Sequence, residues 1–194
     1  MALPVLWFIV PMCSGVAATA SDTSRRELVG QRAGSRTSLT DVSDLEYPQA
    51  VSDAVLPDPE SAFGRRVADR LETEQVVWII TVAADGTPQP NPVWFVWQPP
   101  ATVLIYSQAN AYRLEHIDRR PRVALHFDGN ARGGNVVVLT GDASIALEAP
   151  PPHEHPDYLA KYRESMIRVS GSPQGFSDAY PVPVRIVIDR IRGF

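Results

Sequence analysis

The chain contains a single cysteine and a single lysine in 194 residues. The lone thiol, Cys13, excludes an internal disulfide and any cysteine-rich metal site. The four histidines, His116, His126, His153 and His155, fall into no zinc spacing with Cys or carboxylate partners, so no metal centre is expected. Lys161 is the one lysine among 18 basic residues, so arginine is the expected stand-in wherever a related protein uses lysine. Net positive charge is lacking as well: a formal charge of -4 and a pI near 5.5 argue against a nucleic-acid partner, which ordinarily meets a clustered basic face. The longest apolar run, near the N-terminus, is too short to cross a bilayer as a helix, so no membrane partner is expected.

What is present is an apolar fraction of 44%, enough for one core in a chain of this length. Two regions are expected, an N-terminal extension over 1–56 and a folded domain over 57–194. Within the extension, Leu3 to Met12 is apolar and is followed by Ala17, Ala18, Thr19 and Ala20, which resembles the core and cleavage site of a secretory signal. No lysine or arginine precedes Arg25, and residues 21–50 are polar without a period, the composition of a disordered segment. An export signal with a linker and an upstream translation start are the two readings. The second is favoured, which places the protein in the cytoplasm.

The folded domain is expected to open with a helix capped by Asp58, with Pro59 at its first position and Phe63, Val67 and Leu71 as its apolar stripe. Val76 to Ala83 reads as a strand, and Asp85-Gly86 as a hairpin turn with both residues at positive φ. The return strand, Pro88 to Gln98, carries Pro88, Pro90 and Pro92 in alternation with Gln89 and Asn91. Successive strand N–H groups point to opposite neighbours, so all three missing donors fall on one edge. Either this edge is merely blunted against pairing, or its uncommitted backbone exchanges hydrogen bonds with the rim of a flat heterocycle. Val93 to Trp97 is apolar on both faces, one for a barrel interior and the other for a second subunit or a planar ligand.

Val103 to Phe127 is the stretch on which a function is legible. It reads as a strand ending at Ser107, a turn, a helix capped by Asn110 and ended by Pro121, and a second strand. Arg113 falls in the first helical turn, where free N–H groups and the helix dipole favour an anion. An arginine there is either a solvated surface charge or the grip on a cofactor phosphate. Strands follow over Arg122–Phe127, Asn135–Ile145, with Gly141 as a bulge, and Pro183–Phe194. A further helix begins at Pro156, and 169–181 reads as irregular. The fold class is mainly β: a six-stranded antiparallel split β-barrel with peripheral helices.

The runs TVAADGTPQPNPVWFVW, VLIYSQANAYRLEHIDRRPRVALHF and VVVLTGDASI resemble the pyridoxamine 5'-phosphate oxidase superfamily of split barrels. More narrowly they are similar to its F420-dependent (deazaflavin) oxidoreductase branch. The resemblance covers Pro57 to the C-terminus. It implies a homodimer with the cofactor in an interface groove, where Asn91, Pro92, Val93 and Trp94 run along the ring. Ser107, Gln108, Tyr112 and Arg113 hold the phosphate, with Arg113 in the place of the family's lysine. The oxidase branch has basic residues where this chain has Asn91 and Val96, which turns the implied cofactor from FMN, the alternative, toward coenzyme F420. Arg190 and Arg192 lie near its C-terminal substrate residues. The implied activity is hydride transfer between reduced deazaflavin and a small organic substrate. FMN-dependent oxidase or reductase chemistry is one alternative, and a non-catalytic flavin or tetrapyrrole carrier the other. No catalytic acid or base is named. Tyr106, Tyr112 and His116 are the candidate proton donors, each also readable as a packing or surface residue.

Overall fold

Among the described residues seven strands, not the expected six, make one antiparallel sheet in the order β2-β1-β5-β6-β7-β4-β3. The computed structural model describes residues 55–194, and the expectations for the first 54 residues lie outside them. Along the chain run α1 (Ala62–Thr73), β1 (Val77–Val82), β2 (Pro88–Val93), β3 (Phe95–Gln98), β4 (Thr102–Ser107) and α2 (Tyr112–Arg119). They are followed by β5 (Arg122–His126), β6 (Val137–Ile145), α3 (Pro156–Ser170), α4 (Pro173–Ala179) and β7 (Val182–Gly193). The extra strand arises because the run Pro88–Gln98 breaks at Trp94. Residues before the break pair with β1 and those after it with β4.

That break defines the architecture. β2 and β3 are the two ends of the sheet, yet only Trp94 separates them in the chain, so the sheet curls until its edges meet at one residue. The hydroxyl of Tyr162 sits at this point. It accepts from the Phe95 N–H at 3.0 Å and lies 2.8 and 2.9 Å from the carbonyls of Phe95 and Gln75, either of which takes its proton. Burial pushes the Tyr162 phenol pKa well up, so the group stays neutral and can donate.

The inner face of the curl holds the main core, including Ile79, Phe95, Ile105, Leu125, Leu139 and Ile186. Val67 and Leu71 of α1 and Ile117 of α2 pack into it, with Phe63 partly buried beside them. A second core lies on the outer face of β3 and β4, where Val96, Leu104 and Tyr106 meet Tyr158, Tyr162, Met166 and Phe176 of α3 and α4. The chain's own helices therefore cover the second apolar face of the Val93–Trp97 run, the face expected to meet another subunit or a planar ligand.

Several local expectations change for identifiable reasons. α1 is capped by Ser61, whose Oγ accepts from the Gly64 N–H at 2.9 Å, while Asp58 forms a preceding turn by accepting from the Glu60 N–H at 3.0 Å. In the hairpin only Gly86 has positive φ, at 88°. Gly86 N–H donates to Ala83 and Ala83 N–H to Thr87, so the turn is a three-residue loop with a glycine bulge rather than a two-residue one. Asn110 does not cap α2; Ala111 stands there, and no side chain supplies a cap bond. Residues 173–179 form α4, capped by Ser172 through Gly175 N–H at 2.9 Å. Gly141 meets its expectation: the β6–β7 register shifts there, and a Cβ would lie 2.1 Å from the Val187 carbonyl oxygen.

Tyr162→Phe removes a buried partner of the Phe95 backbone, and a loss of about 1–3 kcal/mol in unfolding free energy is expected in urea titration. An unchanged midpoint would show that the junction is held by packing alone.

Candidate functional site

Ser107 is the last residue of β4, pairs with Val182 at the start of β7, and is 1% exposed. Among the described residues its Oγ is the buried side-chain oxygen or nitrogen without a hydrogen-bond partner. Such an orphan costs the desolvation of a hydroxyl and points to a partner that the described residues do not supply. The turn after it is closed by Ala111 N–H donating to the Gln108 carbonyl at 3.1 Å. α2 then starts without a side-chain cap, which leaves its opening N–H groups to an outside acceptor. Arg113, the second helical residue, is half-buried. No carboxylate, carbonyl or ring face among the described residues holds its guanidinium. Burial lowers the Arg113 pKa, and the Tyr180 phenol nearby partly offsets that.

One face of α2 is fastened to the barrel by other residues. His116 Nδ1 and Thr81 Oγ1 are 2.9 Å apart, and Arg120 donates to the Ala84 carbonyl at 3.1 Å. The helix thus lies across the barrel end from β4 to β1. Gln108 is exposed, and Tyr112 is 80% exposed.

The four residues expected along a ring system lie where the sheet ends. The β1–β2 register opposes Gln89, Asn91 and Val93 to Thr81, Ile79 and Val77. Because prolines cannot donate, these three form the hydrogen-bonded pairs, and the carbonyls of Pro88, Pro90 and Pro92 face outward. This edge accepts but does not donate, which corrects the two-way exchange expected of it. Pro92 is exposed, Asn91 donates through Nδ2 to the Gln89 carbonyl at 3.3 Å, and Val93 belongs to the inner core. The Trp94 indole stacks on Tyr162 with centroids 4.9 Å apart and on Phe176 at 5.1 Å.

No hydrogen bond among the described residues runs directly between these two groups, but one aromatic cluster adjoins both. Phe95 pairs with Ile105, which puts Trp94 one step further along, beside Tyr106 of the same cluster. From Trp94 the stack continues through Phe176 to Tyr180 at 4.6 Å, and Tyr180 is the electrostatic neighbour of Arg113.

The model of the pyridoxamine 5'-phosphate oxidase family matches residues 63–192. The chain belongs to this family. No curated protein matches it. Similar solved structures include an F420 reductase at 21% identity, with 63% of this chain and 92% of that one covered and a TM-score of 0.47. HutZ, the heme storage protein of Vibrio cholerae, is 11% identical over 66% and 92% of the two chains, with a TM-score of 0.47. General Stress Protein 26 of Bacillus anthracis is 17% identical over 66% and 89%, with a TM-score of 0.49. No residue role transfers from likenesses this distant.

The donors present fit a phosphate: a buried hydroxyl, a guanidinium and uncapped N–H groups, with no carboxylate among the described residues paired to Arg113. Arg190 and Arg192 do not join them. They oppose Thr140 and Val138, whereas Ser107 opposes Val182. The eight steps from Val182 to Arg190 span roughly 26 Å of strand. Of the candidate proton donors, Tyr106 donates to the Pro150 carbonyl at 2.5 Å, with its pKa pushed up to about 12 by burial, and His116 is held by Thr81. A cavity of about 240 Å³ at the other end of α2, between Ile117, Pro121 and Ile145, is lined by none of the eight expected site residues.

Ser107→Ala deletes an orphaned hydroxyl, so the ligand-free protein is expected to gain about 1 kcal/mol in stability. Loss of stability in thermal unfolding would mean that Ser107 Oγ has a partner in the ligand-free fold.

Proposed function

We propose that the protein is an oxidoreductase holding coenzyme F420 by its phosphate at the start of α2 and by its ring along the Asn91–Trp94 backbone. The observation that carries this reading is the pairing of an orphaned buried hydroxyl, Ser107, with an unpaired half-buried guanidinium, Arg113, six residues later. Both groups donate, and neither has an acceptor among the described residues, so an anion satisfies them together. Membership of the pyridoxamine 5'-phosphate oxidase family supports a phosphate-bearing ring as the source of that anion.

In this reading Ser107, Arg113 and the first N–H groups of α2 bind the phosphate, with Gln108 and Tyr112 flanking it. The outward carbonyls beside Asn91 accept from ring N–H groups, and Val93 and Trp94 fix the strand that carries them. When bound, the deazaflavin supplies hydride transfer to or from a small organic substrate. The choice of F420 over FMN rests on the resemblance: the oxidase branch has basic residues where this chain has Asn91 and Val96. The exposed prolines and half-buried Trp78, Ile80 and Val82 of the β1–β2 hairpin offer an apolar face to a second copy, which makes the proposed assembly a homodimer.

Titration of the purified protein with F420 and with FMN, followed by fluorescence, tests the cofactor. Micromolar binding of F420 with FMN ignored is the expected result, and tight FMN retention overturns the choice. Turnover of the reduced cofactor against enones and quinones separates an enzyme from a carrier. Arg113→Ala is expected to weaken cofactor binding by about 1.5–3 kcal/mol without lowering the melting temperature. Unaltered affinity removes the phosphate assignment.

A further inference from the structure

α2 ends at Arg119, beside the cavity of about 240 Å³ that none of the expected site residues lines. The walls are Ile117, Asp118 and Pro121 from the end of the helix and Ala143, Ser144 and Ile145 from the end of β6. The negative end of the helix dipole falls here, so the place favours a cation, as the start of the helix favours an anion. Yet the last turn holds a carboxylate, Asp118, which has the wrong sign for its position.

The arginines that follow Asp118 in the chain are engaged elsewhere. Arg119 reaches back to Glu115 at 3.1 Å, Arg120 donates to the Ala84 carbonyl at 3.1 Å, and Arg122 donates to Asp189 at 2.9 Å. Asp118 itself has no hydrogen bond or ion pair among the described residues. A second acceptor stands unused in the same turn. Pro121 has no N–H to give the Ile117 carbonyl four residues back, while the Arg120 N–H closes on the His116 carbonyl at 2.8 Å. Ser144, opposite Arg185 in the sheet, adds a hydroxyl. The remaining walls are apolar: Ala143 is buried, Pro121 is exposed, and Ile145 is 45% exposed despite its size.

We propose that this cavity binds a small primary ammonium ion with an apolar body, its charge on the Asp118 carboxylate and its body against Pro121, Ala143 and Ile145. An ammonium brings three donors to acceptors that the described residues leave unused, which an anion cannot do and a single hydroxyl does only in part. At about 240 Å³ the space lies below the roughly 300–1,000 Å³ of drug-sized sites, so the body is one ring or a short branched chain. The site is separate from Arg113, at the other end of the same helix, and does not depend on which cofactor the protein holds.

Benzylamine and benzyl alcohol, alike in body and different in charge, test this in an amide-resolved NMR titration of the full chain at neutral pH. Benzylamine is expected to shift the amides of Asp118, Ser144 and Ile145 saturably and to bind about fivefold more tightly than the alcohol, the upper range for an exposed ion pair. Asp118→Asn keeps the shape and removes the charge. The preference for the amine is expected to vanish, with the melting temperature unchanged or raised, because a carboxylate at a helix C-terminus is unfavourable. Ile145→Ala is expected to weaken both ligands equally, since it trims the wall and leaves the charge. Equal binding of the two ligands by the wild type, shifts spread over other surface carboxylates, or a preference that survives Asp118→Asn overturns the site. A lower melting temperature for Asp118→Asn overturns it as well, by showing that the carboxylate serves the fold.

Discussion

A strand that ends one edge of the sheet and begins the other at a single residue is the constraint on which this fold depends. β2 cannot extend the sheet because Pro88, Pro90 and Pro92 remove every outward donor. β3 pairs only with β4. The chain between them has to pass from one edge to the other while leaving no buried amide unpaired. Tyr162 resolves this by bringing a hydroxyl, both donor and acceptor, to the Phe95 amide and carbonyl. The side chain comes from a helix 67 residues further on, so closure of the curl and docking of α3 are one event rather than two.

From that closure the candidate site follows. Docking α3 and α4 buries the outer face of β3 and β4 and places the Trp94, Phe176 and Tyr180 rings in sequence. The last of them stands two residues before Val182, the β7 partner of Ser107. On the opposite side of α2, His116 and Arg120 tie the helix to β1 and the hairpin. A helix held along its length but uncapped at its start is a rigid presenter of free N–H groups, which is what an anion requires. The unsatisfied Ser107 hydroxyl beneath it is the sort of local cost that a fold tolerates where it binds something.

How much of this the sequence disclosed depends on the kind of information each residue carries. Proline alternation at 88, 90 and 92 states a hydrogen-bonding fact about each residue, and the edge strand was legible from it. The place of Arg113 in the first turn of α2 was legible because helix starts obey short-range rules. The break at Trp94 was not, since an apolar run from Val93 to Trp97 looks the same whether it is one strand or the joint of two. It took Tyr162, far along the chain, to end the first pairing. α4 was missed because PQGFSDA lacks an apolar period and contains glycine, and because the helix is only 7 residues long. Its cap, Ser172, after the left-handed Gly171, was the signal available. With α4 unread, Tyr180 could not be placed.

The cap of α2 shows the limit of short-range rules from the other side. Asn110 is a good capping residue, yet the helix starts after Ala111, at a site where a side-chain oxygen would compete with any bound anion for the same N–H groups. A structural helix gains about 1 kcal/mol from such a cap. A helix whose first turn receives a phosphate forgoes it, since the ligand supplies the acceptor with greater charge. The residue that departs from the better-capped pattern is thus the one adjoining Tyr112 and Arg113, and the departure has the sign expected of a binding turn rather than of a helix built only for stability.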